Sequence, residues 1–505
     1  MGGSQGELAA NAADTVAKSI MDTVGKLIVD ARRGALGDEL ELIESSLLLA
    51  LHDIGLKVQE LAVLSRGTGD VGPVLRSVEG ILRRQGPRSV DYLSIFGQLE
   101  ITRTYYWEKG CKGAFPLDAQ LNLPADGQSR LLSQWLSSDA ADMPYDRAIA
   151  SLKNKFAIQI HKLTVEQGLA KQAAGFNDFK SDARPPPEKV GQYLAVTADC
   201  KGVRMVPGER PDADEDDDPN TKRDGLRRMA VVDCIFGFDK HVRTPEKMTQ
   251  DALAGLFRTK NVSDREDHGD EKEGDIKWAI SPQFSASMDG KEATFERLAL
   301  AVKRRDPTGS LKLVVLLDGE KALRGRLDEA FARHGLSNRI EAEILDIIHV
   351  LEYLCKIAAA WFGFTASRNK EKRRWLETHI LHLYQGKVDA VIKSLERSLK
   401  TRYANGSRHH IAKTITYFTN HKDMMRYDLY LAKGFPIATG IIEGACGSLV
   451  KDRMDIAGAR WTSKGAQAVL NMRAIKRNGD WAAFWRFLAK AEHKRLYGHF
   501  SFNSI

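Results

Sequence analysis

Two apolar runs, each ending on an aspartate, constrain this chain more than any other feature of it. Tyr193-Leu-Ala-Val-Thr-Ala-Asp199 and Leu313-Val-Val-Leu-Leu-Asp318 have the length and β-branched content of buried strands. Met229–Phe236 predicts a second strand after the first, His241-Val-Arg243 the start of a third, and Ile340–Asp346 a further one. Lys291–Arg305 and Lys321–His334 read as helices between them. This alternation predicts a mixed sheet, and in open α/β sheets reactive groups gather at strand ends. If the two runs lie side by side, Asp199 and Asp318 share one end of the sheet. Taken singly, each is equally readable as a strand-end turn or a helix cap. Several carboxylates converging there cannot all stay ionised without a cation, and Mg²⁺ favours such oxygen ligands while keeping waters for reaction. Two ions about 3.5–4 Å apart suit phosphoryl transfer.

At 505 residues the chain is too long for one core. Residues 1–90 read as a helical N-terminal region, with Leu40, Leu42, Ile43, Leu47, Leu48, Leu51 and Ile54 at helical spacing and a short helix over Val74–Arg84. Residues 91–180 read as a small β segment at Ser94–Trp107, followed by helices. Within these, Pro144–Phe156 and Thr164–Ala174, with Thr164 as N-cap, fit a helix-turn-helix or a plain helical hairpin. Ser181–Pro187 predicts an extended linker. Beyond it come the first part of a catalytic core (188–350), an α-helical segment (351–434) and a C-terminal region with basic helices (435–505). The acidic run Asp212–Pro219 lacks the spacing of a calcium loop and is read as a solvated loop between strands.

The formal net charge is +8 and the pI about 9.0, a balance that suits a polyanionic partner without identifying one. Five cysteines stand singly, with no C-x-x-C pair, which predicts neither a disulfide framework nor zinc. No secretory signal or membrane-length apolar run is legible, so the expectation is a cytoplasmic protein with no membrane partner.

The third acid comes from Ala438-Thr-Gly-Ile-Ile-Glu443-Gly-Ala-Cys-Gly-Ser-Leu-Val-Lys451-Asp-Arg453-Met-Asp-Ile-Ala-Gly-Ala-Arg460-Trp461. This stretch resembles the catalytic C-terminal block of the ISKra-type family of bacterial insertion-sequence transposases. Further blocks resemble the same family in the same order: Glu100–Tyr106, Phe115–Asp118, Ala198–Val203, Val242–Pro245, Leu317–Gly319 and Leu345–Leu354. The resemblance runs over roughly residues 90–490. It implies a multidomain α+β protein with a ribonuclease-H-like mixed α/β catalytic domain, an all-α insertion before the last catalytic helix, and a mostly α-helical DNA-binding region ahead of it. It implies a DDE transposase in which Asp199, Asp318 and Glu443 are catalytic and hold two Mg²⁺ ions, with Mn²⁺ as a substitute. Asp346 and His349 match a D-x-x-H element whose implied role is to orient the active site or bind DNA; a hydrogen-bonded core residue is the alternative for either. The implied partners are double-stranded DNA, as terminal inverted repeats and as target, and further copies of the chain, at least a dimer on DNA. The implied setting is the bacterial nucleoid. Family members often carry two cysteines before Phe115; here Cys111 stands alone, so no zinc is expected.

Lys451, Arg453, Arg460 and Lys464 follow Glu443 closely and are expected to contact phosphates, with Trp461 stacking on an unpaired base. A solvated basic face and a packed tryptophan are the alternatives. Two other functions fit the same residues: a regulatory or domesticated DNA-binding protein that keeps the fold without turnover, and a nuclease without strand transfer.

Overall fold

The computed structural model describes residues 3–184, 186–187, 189–209, 227–257, 278–363, 368–400 and 408–500. The acidic run Asp212–Pro219 lies outside the described residues. The chain forms two compact units, residues 1–184 with 480–505, and residues 185–479. The expected linker therefore falls at the boundary, although its first residues, through Ala183, are still helical. The segment grouped above as 435–505 divides at Gly479, its last helix, Trp481–Tyr497, belonging to the N-terminal unit.

In that unit, helices Gly3–Arg32 and Leu40–Leu64 pack against each other and precede a three-stranded antiparallel sheet. Its strands are β1 (Val74–Ser77), β2 (Gly80–Ser94) and β3 (Gly97–Trp107), in the order β1-β2-β3. The short helix expected over Val74–Arg84 is thus a hairpin, and the helical region ends at Leu64 instead of 90. Tertiary packing decides this: Leu75 and Leu82 face each other across β1 and β2 and are buried with Tyr106. The turn between them uses Gly80 at φ +141°, a conformation that side chains rarely tolerate.

Helices Tyr145–Phe156 and Lys162–Ala173 form the expected pair, sharing one apolar cluster with helix Arg130–Asp142. The second helix starts two residues before Thr164, with His161 at the N-cap position and no side-chain cap. Two of the sequence blocks quoted above, Glu100–Tyr106 and Phe115–Asp118, meet in this unit. Arg103 of the first forms a buried ion pair with Asp118 of the second and lies over the Phe115 ring, 4.0 Å from its centre. Burial pushes the Asp118 carboxyl up to about 6 although Arg103 opposes that shift. Removing one partner strands a buried charge. Asp118→Ala is accordingly expected to lower unfolding stability by about 3–5 kcal/mol in denaturant titrations, whereas the exposed Asp126→Ala should stay within about 1 kcal/mol.

The second unit is built on a five-stranded sheet: β4 (Tyr193–Arg204), β5 (Arg227–Phe238), β6 (Ile280–Ser287), β7 (Leu313–Leu317) and β8 (Ile340–Leu345). Its order is β6-β5-β4-β7-β8, with β4 to β6 antiparallel and β7 and β8 parallel to β4. Two strand expectations change. β4 does not end at Asp199; it continues to Arg204, paired with β5 alone beyond Thr197. His241–Arg243 is not a strand. The His241 amide donates to Gly434 and the Arg243 guanidinium to the Phe435 carbonyl, so this segment is fastened to a distant turn, and the third strand is β6. Helices Gly290–Arg305 and Lys321–Arg333 stand between strands as expected. From Ile347 to Lys433 the described residues contain helices and no strand.

Candidate functional site

The parallel pairing runs from Leu194 opposite Leu313 to Thr197 opposite Leu316, a constant offset of 119 residues (313 − 194). Asp318 lies the same 119 residues after Asp199, so the register that seats four buried pairs carries both aspartates to the same end of the sheet. β7 stops one residue before Asp318, and β4 runs on, so the two strands cease to pair where the carboxylates lie.

A constrained turn holds Asp318. One of its carboxylate oxygens accepts the Glu320 amide at 2.9 Å. Its carbonyl accepts the Tyr417 hydroxyl at 2.5 Å, and the next carbonyl, of Gly319, faces His421 Nε2 at 2.8 Å. Gly319 sits at φ +86°, where a Cβ would lie 2.8 Å from a Leu345 methyl and 3.0 Å from the Tyr417 hydroxyl. Gly319→Ala is expected to cost about 1–3 kcal/mol of unfolding stability, read from denaturant midpoints. Gly325→Ala, whose Cβ would meet nothing within 4 Å on a neighbouring helix, serves as the control.

Glu443 arrives from the short helix Gly440–Ala445, which packs on β4 and β5. Cys446, one residue past that helix, donates its thiol to an Asp199 carboxylate oxygen at 3.4 Å, tying the two ends of the site together. Asp346 fixes the start of the helix. Fully buried, it caps helix Ile347–Phe362 through the Ile348 amide at 2.9 Å, and it accepts from both the amide and the hydroxyl of Thr439, the residue before Gly440. The Ile347 amide adds a bond to the Ile437 carbonyl at 3.0 Å. Asp346 thus works as a bracket between two segments far apart in sequence. His349, one turn on, places Nε2 3.9 Å from Glu443.

Electrostatics mark these groups as one cluster. Burial raises the Asp318 carboxyl above its ordinary range, and the charge of Asp199 raises it further. Burial also raises Glu443, with Asp346 and Asp199 adding to the shift and His349 opposing it. Surplus negative charge at half-buried carboxyls is what a divalent cation relieves, yet Asp199, Asp318 and Glu443 are not a group that brings three ligand atoms within 4.8 Å of one another. Among the described residues, the group that does so is Asp346, His349 and Glu443. Asp346, however, already spends both oxygens on Thr439 and Ile348, which favours a positioning role for it.

The raised carboxyls set a sign. A folded-state shift upward stabilises the protein below the ordinary carboxylate range, about pH 4, and that contribution is lost as pH rises through the shifted values. In EDTA, the melting temperature from pH 5 to 7 should therefore fall more for the wild type than for Asp318→Asn. Millimolar Mg²⁺, which binds the ionised form, should stabilise the wild type more as the pH rises. Equal pH slopes for the two proteins would contradict this.

The basic residues divide into two groups. Lys451, Arg460 and Lys464 are exposed. Arg453 and Trp461 are not: they are 3% and 6% exposed, with the guanidinium 4.7 Å from the indole ring centre. Trp461 donates its backbone amide to Arg204 and its indole N–H to the Met454 carbonyl, extending the sheet beyond β4. The expectation that Arg453 contacts phosphate and Trp461 stacks on a base is therefore corrected: both are packing groups. Arg473 likewise donates to the Ser448 and Leu449 carbonyls, neutralising the exit of the Glu443 segment.

Sequence reasoning missed Thr439, Tyr417, His421 and Cys446. The i, i+4 pair Tyr417 and His421 and the Thr-Gly start of the Glu443 helix were visible, but their partners lie 90 or more residues away. Compared with protein-family models and with curated proteins, the chain matches none.

Proposed function

We propose that the chain is a DDE transposase that cuts DNA at the ends of its own element and joins the freed strand to target DNA. The observation that carries this reading is the register that brings Asp199 and Asp318 to one sheet end, with Glu443 linked to Asp199 through Cys446, three residues on, and through charge. The strand order β6-β5-β4-β7-β8 supports a ribonuclease-H-like core, with the helices after Ile347 as an insertion before the helix that carries the third acid.

In this reading Asp199, Asp318 and Glu443 hold divalent cations, Mg²⁺ or in its place Mn²⁺. Two such ions supply an activated oxygen nucleophile and stabilise the leaving oxygen. The remaining work belongs to the chain. The Gly319 turn keeps the Asp318 carboxylate aimed into the cleft, the Cys446 thiol orients Asp199, and the Asp346–Thr439 bracket sets the pitch of the Glu443 helix. His349 Nε2 stands 3.9 Å from a Glu443 carboxylate oxygen, beside the third acid. Exposed Lys451, Arg460 and Lys464 meet phosphates beside the cleft. Hydrolysis of one phosphodiester frees a 3′-hydroxyl. That hydroxyl then attacks a target phosphodiester, forming one P–O bond as another breaks, so no external energy source is needed.

The test uses duplexes taken from the DNA that flanks the coding region, with Mg²⁺ and a supercoiled target. Wild type should nick and join them. Asp199→Asn and Glu443→Gln should lower cleavage by at least about a thousandfold while shifting the same duplexes within about threefold of wild-type affinity. Cutting without joining would leave a nuclease, and binding without cutting a regulator; either result removes the transposase reading.

A further inference from the structure

The N-terminal unit holds a cavity of about 240 Å³ bounded by β2, β3 and the C-terminal end of helix Trp481–Tyr497. Asp118 and Arg103 form part of its wall, and their ion pair leaves one polar atom of each unused. Oδ1 of the Asp118 carboxylate and the Nε–H of Arg103 are both buried without a hydrogen-bond partner. Asp118 as a whole is only 6% exposed. Buried polar groups are nearly always bonded, and an idle acceptor and donor on one charged pair call for an occupant that meets both. Water fits this cavity poorly. At about 30 Å³ per molecule it would take several waters, while Phe115, Leu123 and Phe500 on its wall offer no side-chain hydrogen bond.

Three features define the occupant. Its faces are flat and apolar, to lie among aromatic walls. One edge carries a donor beside an acceptor, to meet Oδ1 and Nε. It is neutral: Arg103 already answers the charge of Asp118, and burial together with the Lys112 charge holds His499, also on the wall, toward its uncharged form. Asp91, on the exposed rim, repels a free anion. We propose that this cavity takes a nucleobase, guanine above the others, as a free nucleoside or as an unpaired base of DNA. Guanine places two donors, N1–H and N2–H, next to the O6 acceptor. Both donate to Oδ1, which has two lone pairs, and O6 accepts from Arg103 Nε.

The inference needs neither Mg²⁺ nor Asp199, Asp318 or Glu443, so it stands or falls apart from the transposase reading. Two titrations of the full chain in EDTA test it. The first compares guanosine with 1-methylguanosine, whose methyl group blocks N1–H, by calorimetry. The second compares a labelled duplex carrying a single unpaired guanine with its fully paired counterpart, by fluorescence anisotropy. In at least one pair the guanine ligand should bind at least about tenfold tighter than its control. Discrimination between the nucleosides marks a nucleoside site, and discrimination between the duplexes alone marks a base drawn out of DNA. Ala125→Phe, on the exposed rim of the cavity, should abolish the discrimination with circular dichroism and melting temperature unchanged. Asp118→Asn should reduce it at least about tenfold; if that variant loses its fold, Ala125→Phe decides alone. Absence of discrimination in both pairs, or discrimination that survives Ala125→Phe, would overturn the proposal.

Discussion

Backbone pairing between β4 and β7 spans four residue pairs, and the candidate site depends on its register. Leu194, Ala195, Val196 and Thr197 are buried on the central strand, and Leu313–Leu316 are buried opposite them. Strand side chains alternate between faces, so a slip of one residue would turn Asp199 to the opposite face from Asp318 while misplacing every apolar partner. Hydrophobic burial, which dominates folding energetics, therefore also aligns the two acids. No separate device is needed to bring them level. What needs separate devices is the third acid, which comes from 125 residues further along (443 − 318).

Those devices are polar and buried. Asp346 and Thr439 join the exit of β8 to the entry of the Glu443 helix, and the Ile347–Ile437 amide bond runs beside them. In a low-dielectric interior such bonds are strong, and leaving one partner unpaired is costly. The site thus rests on two kinds of force: apolar register for Asp199 and Asp318, and a satisfied polar bracket for Glu443. Repulsion among the acids works against both. It is tolerable in the folded chain because burial shifts Asp318 and Glu443 toward their protonated forms when no cation neutralises them.

Much of this is legible in the sequence. The apolar runs that lead to Asp199 and Asp318, and the helices after β7 and β8, stand in the periodicity of the sequence. The Glu443 block was legible only through resemblance, since a Gly-rich helix of six residues carries no periodic signal. Val74–Arg84 misled because short helix and hairpin share an apolar spacing, and only the opposition of Leu75 and Leu82 across the turn separates them. Arg453 and Trp461 misled for a different reason. A basic residue near a tryptophan reads alike whether the pair faces DNA or the core, and here the backbone of Trp461 is drawn into pairing beyond the end of β4. Long-range supports such as Tyr417 on the Asp318 carbonyl leave no local trace, because both partners look ordinary in their own segments.

The central claim is that three carboxylates form one cation site. Anomalous diffraction from crystals soaked in Mn²⁺ tests it most directly. The account predicts density within metal–oxygen bonding distance, about 2.0–2.2 Å, of Asp199 and Asp318, with Glu443 completing the set, and its loss in Asp318→Asn. Saturating Mn²⁺ that leaves this cleft empty, or that binds without touching either aspartate, would contradict it.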